Sequence, residues 1–191
     1  MQFIYSSNAI EWAMTELINQ PDILPRVVKE LDHVVGRTRL VQESDLPKLN
    51  FVKAFAKEAF RLHPVAPVNV PHVSTKGAAM AGCFILEGSH VLLSLSGLER
   101  EPKIWKDPLR QRVEHDMSIS TGRWGCAAIR LGSTMIVVLL ARLIHGFTWI
   151  VSDGKSIDLV ESHENMLTAE LLIANATPRL NPQVYMQFLK Y

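Results

Sequence analysis

An apolar segment near the end of the chain limits the available folds most strongly. Residues 127–145 have the hydrophobic spacing of one long helix, and Gly146 is placed to end it. Its longest uninterrupted apolar stretch, residues 135–141, stops at Arg142, whereas a membrane-spanning helix needs about 20 apolar residues. We therefore predict a buried core helix here and expect no transmembrane helix.

The rest of the chain divides into a helical first third and a strand-rich middle. Hydrophobic spacing and helix-breaking residues predict helices over residues 8–19, 22–35, 44–62 and 99–105. Short apolar runs punctuated by glycines predict strands at residues 68–73, 83–86, 91–93, 148–151 and 171–176. Residues 107–126 have an irregular pattern. The fold class expected is mainly α with a small β component.

Composition excludes several functional classes. Lys plus Arg total 20 against 19 for Asp plus Glu, so no net field would steer a nucleic acid to this chain. The hydrophobic fraction of 48% suits either a piece of a larger core or a membrane-associated protein. Cys83 and Cys126 are isolated, which excludes a disulfide framework and a zinc site and favours a reducing compartment.

One candidate element is the pair Glu58 and Arg61. Residues three apart share a helix face, so the two side chains can form an ion pair. Taken alone, most such pairs are solvated surface contacts that contribute little stability.

A second candidate element is the glycine-containing loop that ends in Cys126, directly before the long helix. The helix N-terminus offers unpaired N–H groups and a partial positive charge, both of which favour a thiolate. Gly122 and Gly125 allow the backbone of this loop to approach a bound group closely. The alternative is that Cys126 is a small buried apolar residue, which is the usual role of an unpaired cysteine.

Together these two elements resemble those of the cytochrome P450 family. Residues 57–64, Lys-Glu-Ala-Phe-Arg-Leu-His-Pro, are similar to the family's Glu-x-x-Arg helix, and residues 119–128 are similar to its cysteine loop. The resemblance implies one partial P450 domain over residues 1–191. It would extend from the second half of the central helix, through the haem-cysteine loop and the final helix, to the C-terminal sheet tail.

The resemblance also implies a haem b site and the role of each residue in it. Cys126 would be the axial iron ligand, and a thiolate in that position pushes electron density towards O–O cleavage. Glu58 and Arg61 would be structural, with protonated His115 in place of the arginine that usually joins them. His72 would contact a haem propionate, or else be a strand histidine satisfied locally. The residues expected to bind the cofactor are His72, Gly122, Arg123, Gly125 and Cys126.

The cysteine loop departs from the family pattern at three positions. Ile119 stands where the family has Phe, Trp124 where it has Arg, and Ala128 where it has Gly. Trp cannot supply the charge that pairs with a propionate, because its indole has one donor and no charge. We expect these changes to weaken haem binding or to alter the potential of the iron.

Further segments resemble one plant branch, the amino-acid N-monooxygenases, which convert an amino acid to its oxime. They are residues 120–123, 140–143, 145–149 and 157–162. This resemblance implies dioxygen and an amino-acid substrate, NADPH–cytochrome P450 reductase as the electron donor, and the cytosolic face of the endoplasmic reticulum membrane. The family's membrane anchor has no counterpart here, so a truncated gene product or partial gene model is expected. The alternative is a non-catalytic, haem-poor remnant of such an enzyme.

Overall fold

The structure is a computed structural model that describes residues 2–64, 66, 68–103, 127–151, 157 and 172–186. Four longer helices dominate it: α1 (Gln2–Asn19), α2 (Leu24–Val34), α3 (Asn50–Leu62) and α5 (Ile129–Gly146). Two short helices, α4 (Leu95–Glu99) and α6 (Pro182–Met186), and a 3-10 helix, η1 (Glu43–Lys48), accompany them. The strands are β1 (His72–Val73), β2 (Ala78–Met80), β3 (Cys83–Ile85), β4 (His90–Val91), β5 (Phe147–Ile150) and β6 (Asn175–Pro178).

The hydrophobic core lies where the four longer helices meet. Each helix carries apolar side chains on the face that its spacing predicts; those of α3 and α5 pack against all of the other longer helices, whereas α1 and α2 each pack against α3 and α5. Fully buried members of this core are Ala13, Leu17, Val27, Leu31, Val52, Ala56, Leu140 and Ala141. The core therefore fixes α5 against the first three helices, as its apolar composition predicts.

By length and composition, α5 is also the one helix among the described residues that could cross a membrane. One side of α5 packs into the core, with Leu140 and Ala141 fully buried. Leu131, Met135 and Leu139 are exposed. The contacts of the buried side are those of a core helix.

The predicted helix over residues 44–62 is two helices in the structure. The 3-10 helix η1 comes first, Leu49 has non-helical backbone angles (φ −88°, ψ 69°), and α3 begins at Asn50. The carboxylate of Asp45 accepts hydrogen bonds from the Gln42 backbone N–H and from the Arg39 guanidinium. The bond from Gln42 caps the first turn of η1 and so stabilises it as a helix of its own.

The strands form three antiparallel two-stranded ribbons. They pair as β1 with β4, β2 with β3, and β5 with β6. In the second ribbon, Ala81 and Gly82 link the strands and both have positive φ, 49° and 80°. Positive φ at both central residues is the type I′ turn, whose twist matches that of the strands it joins.

Several boundaries differ from the sequence prediction. Helix α1 begins at Gln2, six residues before the predicted start, and the predicted strand at 171–176 is replaced by β6. The short helix expected at 99–105 is absent from its described part, residues 100–103, and residues 104 and 105 lie outside the described residues; α4 instead ends at Glu99, and the Ser94 side chain caps its start by accepting from the Gly97 N–H. The strand β2 and the helix α6 were not predicted, since alanines and isolated polar residues carry a weak periodic signal.

Candidate functional site

The Glu58–Arg61 pair lies in the interior, on the last two turns of α3. Arg61 donates from Nε to Glu58 Oε2 at 2.9 Å and from Nη2 to Glu58 Oε1 at 2.7 Å. The side chains are 3% and 1% exposed, so this two-bond pair is not the solvated surface contact that the pair alone suggests. A buried charge left without its partner costs about 3–5 kcal/mol, which makes each of the two residues dependent on the other.

A second polar cluster, which the sequence analysis missed, joins the end of α3 to α1. The His63 ring stacks on Trp12, with centroids 3.9 Å apart and planes 6° apart. His63 Nε2 is 2.7 Å from Glu16 Oε1, and Gln20 Nε2 donates to Glu16 Oε2 at 2.8 Å. Burial raises the pKa of Glu16, but the hydrogen bond and charge of His63 lower it by more, so the net pKa lies below the usual range. The spacing of Trp12, Glu16 and Gln20 by four residues is the signal that could have revealed this cluster.

His72 is the first residue of β1 and pairs with Val91 of β4. Its side chain is exposed, so it is not a buried core histidine. The predicted contact between His72 and a haem propionate stays a prediction.

The remaining predicted site residues, Gly122, Arg123, Gly125, Cys126 and His115, lie outside the described residues.

The structure resumes at residue 127, one residue after Cys126, so it does describe the start of α5. Ala128 is the N-cap residue, and its methyl side chain cannot accept a capping hydrogen bond from the first amides of the helix. The first hydrogen bond of the helix runs from the Gly132 N–H to the Ala128 carbonyl, at 2.8 Å. The preceding amides, Ile129 to Leu131, therefore have no acceptor inside the helix.

The C-terminal end of α5 is held by a charged cluster that the sequence analysis also missed. Arg179 makes two hydrogen bonds to Asp32 of α2, at 2.6 and 3.0 Å, and donates from Nε to the His145 carbonyl at 3.0 Å. The Tyr185 hydroxyl donates to the Gly146 carbonyl, and the fully buried His145 ring contacts the Gly36 carbonyl at 2.7 Å. These contacts join α2, α5 and the chain around β6.

The charges of this cluster perturb two titratable groups. Hydrogen bonding from Arg179, helped by Arg37, lowers the pKa of Asp32 to about 2 although partial burial raises it. Burial lowers the pKa of His145 and so favours the neutral ring. No local sequence pattern predicts this cluster, because Asp32 and Arg179 are 147 residues apart in the chain.

Comparison with known proteins decides the family. The family model described as Cytochrome P450 matches residues 6–174, which is most of the chain. The chain belongs to the cytochrome P450 family. Among the described residues no group of three or more His, Cys, Asp or Glu side chains could hold a metal ion, and a P450 iron needs only one such ligand from the protein.

Relatives of this P450 chain include curated plant enzymes. It is 50% identical to phenylalanine N-monooxygenase of Arabidopsis thaliana over 94% of this chain and 37% of that protein. It is 48% identical to tyrosine N-monooxygenase of Sorghum bicolor (94% and 35%) and 49% identical to valine N-monooxygenase 2 of Manihot esculenta (94% and 36%). The chain thus spans little more than a third of the length of each of these relatives.

A solved structure shares the fold of this P450 chain. A zebra fish cytochrome P450 in complex with abiraterone superposes with a TM-score of 0.83 and 26% identity, covering 91% of this chain and 45% of that one. The expected fold class, mainly α with few short strands and covering part of the P450 fold, is confirmed.

Family membership implies a haem cofactor, and the described residues fit one. The amides at the start of α5 favour a negatively charged sulfur at the position of Cys126. Beside them, a Cβ added at Gly132 would meet no atom of the described residues within 4 Å, so none of these residues covers that side of the first turn. Ile129 and Leu131, in the same turn of the helix, have exposed apolar side chains, which suit contact with an apolar macrocycle.

Proposed function

We propose that this chain provides the haem-binding part of an amino-acid N-monooxygenase, with haem b as its cofactor and Cys126 as the axial thiolate. The observation that carries the proposal is the similarity, at 50% identity over 94% of the chain, to a plant phenylalanine N-monooxygenase. The bound haem would supply activation of dioxygen, so that one oxygen atom enters the amino group of the substrate on the way to the oxime.

The chain's own residues would hold this cofactor. The amide end of α5 would stabilise the negative charge of the Cys126 sulfur, and the core contacts of Leu140 and Ala141 hold the C-terminal half of the same helix against the core. The buried pair of Glu58 and Arg61 fixes the α3 side of the same core. His72, exposed at the start of β1, is proposed to donate to a propionate.

The substrate is proposed as a class. Relatives named for phenylalanine, tyrosine, valine and tryptophan are 50%, 48%, 49% and 46% identical to this chain, so the identity ranks none of the four amino acids above the others. Electrons would come from NADPH–cytochrome P450 reductase, and the site of action would be the cytosolic face of the endoplasmic reticulum membrane.

A second candidate, a haem-poor remnant without activity, is favoured by one observation. Ala128, where the family pattern has glycine, is the N-cap residue of α5 and follows the proposed sulfur ligand by two residues. A methyl group there narrows the space for a macrocycle against the helix. Restoring glycine by Ala128→Gly should then increase haem uptake.

The proposal is tested by loading the chain with haem, adding the reductase, NADPH and dioxygen, and offering each of the four amino acids. Mass spectrometry should find the oxime of at least one of them, formed only when NADPH is present. Cys126→Ser should abolish the product, whereas Cys83→Ser is the matched control, since Cys83 is exposed on β3. Haem uptake without any oxime from the four would contradict the N-monooxygenase assignment, and absence of haem uptake would favour the remnant.

A further inference from the structure

His145 is a titratable side chain that the proposed function does not use. It lies in the last turn of α5, and its exposed fraction is 0%. Buried polar atoms normally have a hydrogen-bond partner, and an imidazole ring has two nitrogens that can donate or accept. The surroundings of these two nitrogens therefore determine which protonation state the folded chain accepts.

The contact of Nε2 fixes the tautomer of the His145 ring. Nε2 lies 2.7 Å from the backbone carbonyl oxygen of Gly36. A carbonyl oxygen can only accept, so Nε2 carries a hydrogen and donates it. Gly36 follows the C-cap of α2 with a φ of 76°, which glycine adopts without strain. The neutral ring thus joins the end of α5 to the end of α2.

The other ring nitrogen, Nδ1, is buried and has no hydrogen-bond partner among the described residues. A second proton on the His145 ring would have to bind there, and it would create a buried N–H without an acceptor as well as a buried charge. Burial accordingly lowers the pKa of His145, and the hydrogen bond to Gly36 opposes this shift without reversing it. The site as folded accepts the neutral ring.

The charges that face the ring also oppose a second proton. Arg179, in the chain after β6, donates to the His145 carbonyl at 3.0 Å, and Arg39 adds a second positive charge. Asp32 of α2 acts in the opposite direction, with Oδ1 at 3.9 Å from Nε2. Its carboxylate already accepts hydrogen bonds from Arg179 and Arg37, so two guanidinium groups offset its charge.

His145 also takes part in holding the segment of β6 and α6, residues 175–186. Arg179 of this segment bonds the His145 carbonyl. Tyr185 donates from its hydroxyl to the Gly146 carbonyl and accepts from the Arg179 backbone N–H at 3.1 Å. The ring of His145 therefore contacts α2, while its carbonyl contacts the segment.

We propose that His145 is a pH-sensitive switch for this segment: the neutral ring closes the join between α2, α5 and residues 175–186, and a proton bound at Nδ1 opens it. Opening lets water reach the new N–H and separates the imidazolium from Arg179. The folded chain lowers the pKa of the ring from its ordinary value of about 6.5. The stability that the neutral ring provides is therefore present above about pH 6.5 and is lost as the pH falls towards the lower pKa of the folded chain.

The test is hydrogen–deuterium exchange of the full chain at about pH 7.5 and about pH 5.5, corrected for the intrinsic effect of pH on exchange. Mass spectrometry of peptides from residues 175–186 gives their protection factors. These should fall between the two pH values, by about tenfold at most, which is the limit for a ring that titrates near 6.5 when open and stays neutral when closed. Asp32 keeps its charge over this range, because its pKa is about 2.

Two variants assign the effect to one ring. His145→Gln retains an N–H that can donate to the Gly36 carbonyl but binds no proton, so it should abolish the fall in protection. His33→Gln is the matched control, since His33 is exposed in the last turn of α2, and it should leave the fall unchanged. Circular dichroism at the higher pH checks that both variants fold.

Nuclear magnetic resonance of the ¹⁵N-histidine-labelled wild type tests the switch without any substitution. At about pH 7.5, His145 should carry its proton on Nε2 and none on Nδ1. A ring protonated on both nitrogens at that pH would overturn the proposal. Equal protection at the two pH values in the wild type, or a fall that persists in His145→Gln, would overturn it as well. None of these measurements depends on haem, so their outcome is separate from that of the proposed function.

Discussion

The helical core and the glycine-punctuated segment between α3 and α4 follow opposite rules of construction. In the core, apolar side chains of four helices bury one another and a charged pair is enclosed among them. In the segment over residues 68–94 every strand has two to three residues, and Val70, Phe84, Leu86 and Leu92 are all more than half exposed. The comparison indicates that stability resides in the helices, while the strands present surface for other contacts.

The largest effect should come from breaking the enclosed charge pair of the core. Arg61→Ala removes the guanidinium that forms two hydrogen bonds with the buried Glu58 carboxylate, and it should lower the free energy of unfolding by about 3–5 kcal/mol. Urea denaturation followed by circular dichroism measures this loss. The control is Arg37→Ala, because Arg37 is 66% exposed and its ion pair should be worth about 1 kcal/mol or less. Equal losses for both variants would contradict the contrast between buried and surface charge.

A cavity in α5 tests the apolar part of the core. Leu140→Ala removes a fully buried side chain and should cost about 2–5 kcal/mol. Leu139→Ala is the matched control one position earlier, since Leu139 is 42% exposed and should cost less than about 1 kcal/mol. The same urea titration compares the two variants, and a larger loss for Leu139→Ala would mean that α5 packs through its other face.

Acid should weaken the join between α2 and the end of α5. The pKa of Asp32 is about 2 in the folded chain and about 3.9 in an unfolded one, so the folded state favours the carboxylate. The stability that Asp32 contributes, roughly 1–2 kcal/mol after allowance for its partial exposure, is fully present above pH 4 and is lost as the pH falls through 2.

Asp32→Asn should therefore flatten the dependence of unfolding free energy on pH between about 4 and 2. Asp45, whose pKa is also lowered to about 2 by Arg39, accounts for part of the slope that remains. An unchanged slope in Asp32→Asn would show that the contact with Arg179 does not contribute to stability.

The smallest effect is expected in the strand segment. Leu86→Ala removes a side chain that is 67% exposed and should change the unfolding free energy by no more than about 0.5 kcal/mol. A loss above 2 kcal/mol in the urea titration would mean that the hairpin packs as the core does.

The same contrast explains what the sequence could predict. Helices α1, α2, α3 and α5 follow from apolar residues at helical spacing, because burial of one face enforces that period. Ribbons with two exposed faces lack such a constraint, so β2 escaped prediction and the bounds of β4 and β6 shifted.

For the candidate site, Glu58 and Arg61 were identified from their spacing of three residues on one helix. The clusters around His63 and Asp32 were not, because their partners lie 47 and 147 residues away in the chain. Contacts between residues so far apart in the chain depend on the tertiary fold, which local hydrophobic periodicity does not predict.

The most direct test of the central claim, a thiolate from Cys126 on a haem iron, is the spectrum of the reduced, carbon-monoxide complex of the haem-loaded chain. The wild type and Cys83→Ser should both show the Soret band of a thiolate-ligated iron, far to the red of a histidine-ligated one. Cys126→Ser should lose that band. If Cys126→Ser retained the red-shifted band, or if the wild type lacked it, Cys126 would not be the ligand.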